Sequence, residues 1–358
     1  MARMRGKFQL LALAAANVRN KFAEWLYLRS GVDWTRPMQV YGEFNARCNA
    51  RCLMCNYWRQ PEKRELPPAV WIAALESLRR LSRRFHLQLC AVEPLLRNEE
   101  LFEVLDFCRD VGISCGITTN GQLLNGGNIT RLLSAGVLNV NVSIDSLDPH
   151  VHERIRGVPG ILPRVLANVE ALAAEARRAG GRTRVLLRPL VCRENLSGLC
   201  ELVEYAGRIG AAGINFQPIS RATDEAGEMF HVDLALLDSQ IERLLAMRRA
   251  GAPILNSGPS IRWWGDYFRS RPVPPRDGPC VVALRNLYIS VEGDVTFCRF
   301  GGAKIGNIAS GDLAEMWRSP AARKARAELV RCDRVCVGTS LEKKRWRDYF
   351  ETFRRLVG

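Results

Sequence analysis

Between residue 38 and about residue 220, short apolar runs alternate with stretches whose apolar positions recur every three or four residues. The runs are 38–44, 87–92, 114–118, 137–144, 185–191 and 213–219, and each reads as a strand. Among the intervening stretches, Trp71, Leu75, Leu78 and Leu81 share one helical face. So do Leu101, Val104, Leu105 and Cys108, and again Leu199, Leu202, Val203 and Ala206. Thr119-Asn120-Gly121 adds a turn signal at the end of the third run. Strands that alternate with helices predict parallel pairing through crossover helices. Near-continuous apolar strands predict a sheet covered on both faces. Six such units, not eight, predict an α/β fold of the partial (βα)6 TIM-like barrel type, with its chemistry at the C-terminal strand ends.

The pattern changes outside that region. In residues 1–37, Phe8, Leu11, Ala15, Val18, Phe22 and Trp25 form one helical stripe, with Arg19 and Lys21 off it. An amphipathic helix packed on the main domain is expected; a membrane-surface or partner-docking helix is the second reading. Arg3, Arg5 and Lys7 before the apolar residues 8–16 imitate a secretory signal, but the stripe runs on past any cleavage site. The barrel region is read as 38–250, ending in a helix over 234–247. Residues 251–279, with Pro272, Pro274, Pro275 and Pro279, read as a linker. Segments 286–291 and 295–298 flank Glu292-Gly293-Asp294 as a hairpin within a region 280–340. A basic helix with Trp346, Tyr349, Phe350 and Phe353 is expected over 341–358.

Composition narrows the class. A chain of 358 residues that is 47% hydrophobic and 25% charged suits a soluble globular protein of two domains and excludes a disordered or collagen-like one. No run reaches the roughly 20 apolar residues of a membrane span. Lys and Arg exceed Asp and Glu by 52 to 37, which favours acidic partners. Arg182, Arg184, Arg188, Arg262, Arg269 and Arg271 form no dense run with interleaved aromatics, so no nucleic acid is expected. Trp263, Trp264, Tyr267 and Phe268 read as core packing between domains or as a substrate lid. Asp145 and Asp148 near His150 and His152 read as structural or ribose-facing, against a hydrolytic site. Twelve cysteines are too sparse for a disulfide scaffold but are clustered, as metal ligands in a reducing, cytoplasmic compartment would be.

Cys48, Cys52 and Cys55 directly follow the first predicted strand, at the catalytic end of the barrel. Three thiolates in one loop suit three irons of a 4Fe–4S cluster and leave one iron open. Zinc would want a fourth closed ligand, and no His lies near. Zinc and unligated thiols remain the other readings.

Cys48-Asn49-Ala50-Arg51-Cys52-Leu53-Met54-Cys55 resembles the cluster loop of the radical S-adenosylmethionine (radical SAM) superfamily. Glu93-Pro94-Leu95-Leu96-Arg97 resembles the tail of that family's Gly-Gly-Glu-Pro motif, and Thr119-Asn120-Gly121 its third strand end. Ser143-Ile144-Asp145-Ser146 and Ile155-Arg156-Gly157 resemble its fourth strand and following helix. The resemblance implies that the open iron chelates S-adenosylmethionine, whose reductive cleavage gives a 5′-deoxyadenosyl radical that takes a hydrogen atom from the substrate. It also implies an electron donor of the flavodoxin or ferredoxin type. By the same resemblance, Glu93 and the backbone beside it receive the amino group of the cofactor, and Ser143 and Arg156 bind its carboxylate or ribose. Met54 flanks the adenine, and Gln217 lies along its edge. Each has a plainer reading: a solvated loop acid for Glu93, a turn residue for Ser143, an ion pair with a local acid such as Glu153 for Arg156, packing for Met54, and a polar strand end for Gln217.

Two departures stand out. Ala91 and Val92 replace the two glycines, and stiff, β-branched Val92 is expected to be the more costly unless its side chain faces the sheet. Met54 replaces a commoner aromatic, with a polarizable sulfur to pack on a purine.

Cys280, Gly293, Cys298, Gly306-Asn307-Ile308, Met316-Trp317 and the pair Cys332 and Cys336 resemble the auxiliary-cluster region appended to many radical SAM enzymes. Four cysteines after residue 279 fit its short, twitch-type form better than the full SPASM form. They imply one auxiliary 4Fe–4S cluster on Cys280, Cys298, Cys332 and Cys336, with zinc as the other occupant. Cys90, Cys108, Cys115, Cys192 and Cys200 read as small buried hydrophobes. The expected function is radical SAM chemistry on a small polar, sugar- or nucleoside-like natural-product substrate, oxidised or epimerised with help from the auxiliary cluster. A maturase of ribosomally made peptides is the alternative, and 47 residues before Cys48 are few for a leader-binding winged-helix module. A non-catalytic iron–sulfur and SAM-binding protein is the third reading.

Overall fold

The computed structural model describes residues 2–61, 63–220, 224–270 and 279–332. The tail helix expected from Leu341, and Cys336, lie outside them. A long helix α1 (Ala2–Ser30) leads into β1 (Gln39–Gly42). The barrel then runs α2 (Pro68–Leu81), β2 (His86–Leu89), α3 (Asn98–Val111), β3 (Ser114–Thr119), α4 (Gly126–Ser134), β4 (Asn139–Val142), α5 (Pro149–Arg156), α6 (Leu162–Arg178) and β5 (Arg184–Leu187). It continues with β6 (Leu190–Val191), α7 (Leu199–Arg208), β7 (Gly213–Ile214), β8 (Gln217–Pro218), α8 (Asp224–Phe230), α9 (Leu234–Arg249) and α10 (Gly258–Phe268). The C-terminal region adds β9 (Asn286–Ile289), β10 (Asp294–Thr296), β11 (Gly306–Asn307), α11 (Leu313–Arg318) and α12 (Pro320–Val330).

The main sheet has the order β11-β10-β9-β1-β2-β3-β4-β5-β7, parallel from β9 to β7. With helices on the outside, this is the expected α/β partial barrel. The fifth and sixth predicted strands are each broken in two. Pro189 has no amide hydrogen to give the neighbouring strand, and the ladder resumes as the separate pair β6 and β8.

The C-terminal hairpin is part of this sheet. β9 pairs in parallel with β1, from Gln39 opposite Asn286 to Gly42 opposite Ile289. Leu313 N donates to Ser77 Oγ (3.0 Å), and Trp317 Nε1 to Thr35 O (3.1 Å). One apolar core runs from Val40 through Trp71, Val140 and Ile214 to Leu287, Trp317 and Leu329. The stretch read as a linker carries α10, capped by Ser257. Trp264 packs edge-on to Phe216 (5.9 Å), and Tyr267 Oη donates to Ile219 O (2.8 Å), so these aromatics are core under the sixth strand.

Helix α1 docks in an unexpected orientation. Among its described side chains, from Ala15 on, the buried ones are Asn20, Ala23 and Glu24. Asn20 donates to Leu284 O (3.2 Å) and accepts from Arg36 N (2.9 Å), and Arg285 Nε donates to Glu24 Oε1 (2.8 Å). Val18, Phe22 and Trp25 of the predicted apolar stripe are instead 54%, 55% and 54% exposed. The helix does pack on the main domain, but over its described side chains hydrogen bonds and an ion pair, not Val18, Phe22 and Trp25, hold it there.

Candidate active site

The cysteine loop leaves the C-terminal end of β1 and is pinned from several sides. Asn45 Nδ2 donates to Arg47 O and to Glu93 O (both 2.9 Å). Trp58 Nε1 donates to Cys52 O (3.1 Å). Arg51 N and Leu53 N donate to the carbonyls of Arg156 and Ile155 (both 3.0 Å), so the end of α5 clamps the loop. Gly157 makes that approach possible: its φ is +64°, and a Cβ there would lie 2.3 Å from Arg51 O. Asn49 donates to Gln122 (3.1 Å) and accepts from Asn120 Nδ2 (2.7 Å), tying the loop to the turn after β3.

Cys48, Cys52 and Cys55 carry free thiols. Burial pushes the Cys48 thiol up to about 11 and raises that of Cys52, against the pull of Arg156. Metal binding must therefore displace protons. Among the described residues no three His, Cys, Asp or Glu side chains gather around a single-ion site. A cubane asks something different, one thiolate for each of three irons.

Glu93 is buried at the foot of this loop. Oε1 accepts from Leu95 N (3.3 Å) and Thr119 Oγ1 (2.8 Å), and Oε2 from Asn120 N (2.8 Å). Burial raises its pKa to about 7, against those donors. It is no solvated loop acid. The side chain joins the ends of β2 and β3, so its strongest contacts are within the protein. Before it, Ala91 has φ +90°, a left-handed backbone that favours glycine. The strain thus falls on Ala91, whereas Val92 is buried at ordinary φ, the reverse of what branching alone suggests.

Arg156 pairs with a nearby acid, as its plainer reading has it, but the acid is Asp145 (Nε to Oδ2, 2.6 Å) and not Glu153; Nη1 lies 3.9 Å from Cys52 Sγ. Burial opposes its charge, but Asp145 and Cys52 more than compensate, and its pKa is raised. Asp145 is fully buried and also accepts from Leu190 N (2.8 Å), while its own amide meets His152 Nδ1 (3.2 Å). These contacts make Asp145 and His152 structural. Ser143 sits at the end of β4 with its amide on Thr119 O (3.0 Å), and its hydroxyl has no protein partner among the described residues. Met54 is half-buried against the core. Gln217 opens β8 exposed, with a side chain that makes no described hydrogen bond.

Below this cradle the barrel lumen is polar. His86 bonds Ser114 (2.9 Å) and Gln88 (3.2 Å), Gln88 donates to Thr118 (3.2 Å), and Asn139 donates to Gln88 (2.9 Å). Burial lowers His86 to about 4, so it is neutral here. At the mouth, Tyr41 and Tyr288 stack at 4.6 Å across the β1–β9 seam. Arg299 lies over the Tyr57 ring (5.1 Å), and Tyr57 donates to Glu43. Cys90, read as a plain buried hydrophobe, is among Arg299, Glu43 and Arg188. Sequence reasoning singled out Thr119-Asn120-Gly121 but not the bonds of Thr119 and Asn120 to Glu93, and it missed Tyr41, within β1, and Tyr57, in the turn after the cysteine loop, for which no spacing gave a signal.

In the C-terminal region, Cys280 N donates to Val330 O (3.1 Å) and Cys332 N to Leu329 O (3.0 Å), so the two lie by the end of α12. Cys298 follows β10, near Tyr288.

A partial barrel with a three-cysteine loop at its mouth and a cysteine-bearing hairpin on its edge defines an iron–sulfur enzyme that uses S-adenosylmethionine. A model of the Radical SAM superfamily matches residues 43–206, and a model of the SPASM iron–sulfur cluster-binding domain matches residues 280–338. The chain belongs to the radical SAM superfamily and carries a SPASM-type C-terminal domain. Similar proteins include the AdoMet-dependent heme synthase of Methanosarcina barkeri, 24% identical over 84% of this chain and 90% of that protein. Others are the GTP 3′,8-cyclase of Pseudomonas entomophila (26%; 85% and 88%) and the PqqA peptide cyclase of Gluconobacter oxydans (26%; 78% and 76%). The fold resembles that of Streptococcus suis SuiB bound to S-adenosylmethionine, with TM-score 0.65, 17% identity, and coverage of 82% of this chain and 68% of that one.

Membership brings the family's cofactors, a 4Fe–4S cluster with S-adenosylmethionine at the barrel and iron–sulfur in the C-terminal domain. The residues fit them. Three free thiols share one pinned loop, Ser143 Oγ has no described partner, and Asn45 Oδ1 is a buried acceptor left unpaired beside Glu93.

Proposed function

We propose that this enzyme acts on a small, polar, anionic substrate held between the cysteine loop and the C-terminal hairpin, and oxidises or epimerises it with assistance from the auxiliary cluster. The cofactors supply reductive cleavage of S-adenosylmethionine and hydrogen-atom abstraction; the protein supplies binding, aim and exclusion of water. Cys48, Cys52 and Cys55 hold the barrel cluster. Ser143, Arg156, Met54, Gln217 and the backbone at Glu93 hold S-adenosylmethionine. Cys280, Cys298, Cys332 and Cys336 hold the auxiliary cluster. A flavodoxin- or ferredoxin-type donor supplies the electron, in a reducing cytoplasm that keeps the thiols free.

The observation that carries the substrate class is Arg188. It follows β5, its amide donates to Val142 O (2.8 Å), and its side chain lies by Tyr41 and Cys90. Burial lowers its pKa, and no carboxylate among the described residues pairs with it. A partly buried guanidinium with no carboxylate partner among the described residues is under-compensated, and a bound anion would supply charge-assisted hydrogen bonds. The stacked tyrosines and the polar lumen suit a sugar- or nucleoside-like body.

The test is anaerobic turnover of reconstituted protein with sugar acids, sugar phosphates and nucleotides, following 5′-deoxyadenosine and product. A substrate from this panel should raise 5′-deoxyadenosine in wild type, and Arg188→Gln should lose that response while keeping the basal rate. Equal response in the variant would remove Arg188 from substrate binding.

A peptide substrate is the second reading. It is favoured by similarity to the PqqA peptide cyclase along most of the chain and by fold similarity to SuiB bound to the precursor peptide SuiA (TM-score 0.65). Turnover of a short peptide, with none of the small anions, would decide for it.

A further inference from the structure

Over its described side chains, helix α1 shows the Val18, Phe22 and Trp25 part of its apolar stripe to solvent and docks by its polar side. Around the helix, the buried face holds Asn20, Ala23 and Glu24, and the opposite face holds Val18, Phe22 and Trp25. Phe22 and Trp25 stack on each other at 5.8 Å. Leu28 (40%), Val32 (44%) and Trp34 (62%) are also exposed, so apolar surface continues past the helix end. Burying an asparagine and a glutamate while exposing two aromatics is the reverse of what the core alone would select. The docking side is nonetheless secure, because Glu24 is paired with Arg285 and Lys21, and Asn20 is bonded to Leu284 and Arg36. The helix is therefore held in one orientation with its stripe outward.

Charge identifies the occupant. No Asp or Glu occurs before Glu24, whereas Arg3, Arg5, Lys7, Arg19 and Lys21 do, and the whole chain carries +15. A second copy of the chain would bring the same positive charge to the same face. The stripe is also narrow. Phe and Trp offer about 150–250 Å² each when fully buried, and a standard protein interface takes roughly 800 Å² from each partner. An anionic bilayer surface needs less: aromatic rings seat at the headgroup level, and each nearby Lys or Arg adds attraction. No helix of the described residues is long and apolar enough to cross a membrane.

We propose that α1 is an interfacial helix that seats the enzyme on an anionic lipid surface through Val18, Phe22 and Trp25, with the flanking, exposed Arg19 on the headgroups. The enzyme is thereby peripheral and reversible in its attachment, released by salt.

The experiment is flotation of full-length, cluster-reconstituted protein with vesicles of phosphatidylcholine alone and of phosphatidylcholine with a quarter phosphatidylglycerol. Binding is expected to the anionic vesicles only, to fall at least tenfold at high salt, and to fall at least tenfold in the double variant Phe22→Ser/Trp25→Ser. Both side chains are half exposed, so the variant should keep wild-type iron content and basal S-adenosylmethionine cleavage. No binding to either vesicle, or equal binding by the variant, overturns the proposal. So does a wild-type dimer in light scattering that the variant turns into a monomer, since the stripe would then join two copies.

Discussion

Thr119 Oγ1 lies 2.8 and 2.9 Å from the two carboxylate oxygens of Glu93, so one hydroxyl joins the ends of the second and third barrel strands. The bond makes Glu93 part of the barrel's construction. With its pKa raised from 4.5 to about 7 by burial, Glu93 takes up a proton more readily folded than unfolded. Its contribution is therefore full below pH 4.5 and is lost as pH rises through about 7. The loss is of the order of 3 kcal/mol. Urea unfolding of cluster-free protein from pH 5 to 8 should show stability falling with pH relative to Glu93→Gln. Parallel profiles for the two proteins would refute this.

Ala91→Gly should stabilise the protein. A left-handed backbone costs an L-residue about 1–2 kcal/mol, and glycine removes most of that. Glycine's extra unfolded-state entropy returns part of the gain, so a net gain of about 1 kcal/mol is expected in chemical denaturation. Val92→Gly should destabilise, because Val92 is buried at ordinary φ. The opposite order would show that Val92, not Ala91, carries the strain.

Gly157→Ala should disable the cysteine loop. The new Cβ would meet the carbonyl of Arg51 at 2.3 Å, and backbone cannot swing aside as a side chain can. Loss of the first cluster is expected, read as iron content after anaerobic reconstitution. Wild type should carry about eight irons, as two 4Fe–4S clusters, and both Gly157→Ala and the triple variant Cys48→Ala/Cys52→Ala/Cys55→Ala about four. Full iron in Gly157→Ala would mean that the loop does not depend on this clamp.

What could be read from the sequence is what is local. The cysteine triplet and the motif around Glu93 show themselves because their chemistry and backbone need particular residues at fixed spacing. The strands and helices from β1 to β7 follow from apolar periodicity. The pairing of β1 with β9 joins Gln39 to Asn286, and no periodicity records a contact between residues so far apart. The orientation of α1 was hidden for another reason. The stripe from Phe8 to Trp25 is real, but Asn20 and Glu24 find partners on distant Leu284 and Arg285, and these settle which face docks. Arg188 is one of several scattered arginines in the sequence, and only the fold shows it partly buried beside Tyr41 and Cys90 with no carboxylate partner among the described residues.

The β1–β9 pairing also sharpens the question of what the second cluster does. A linker between barrel and C-terminal region would let the barrel survive damage to the cluster. The shared sheet makes that less simple, because β9 borders the strand from which the cysteine loop departs. A structural cluster would stabilise the hairpin, and its loss would reach β1 and the first cluster together. A redox or substrate-facing cluster predicts separation. Cys298 and Arg299 stand near Tyr288 and Cys90 at the barrel mouth, where a substrate would lie between the two cysteine sets. The redox role is therefore expected. Cys298→Ala and Cys332→Ala should keep the first cluster and basal 5′-deoxyadenosine formation while product falls at least a hundredfold. Both yields should be measured on soluble protein of known iron content. Normal product from a variant lacking the second cluster would refute the redox role, and joint loss of both yields with unfolding would make the cluster a structural support for β9 and, through it, for β1.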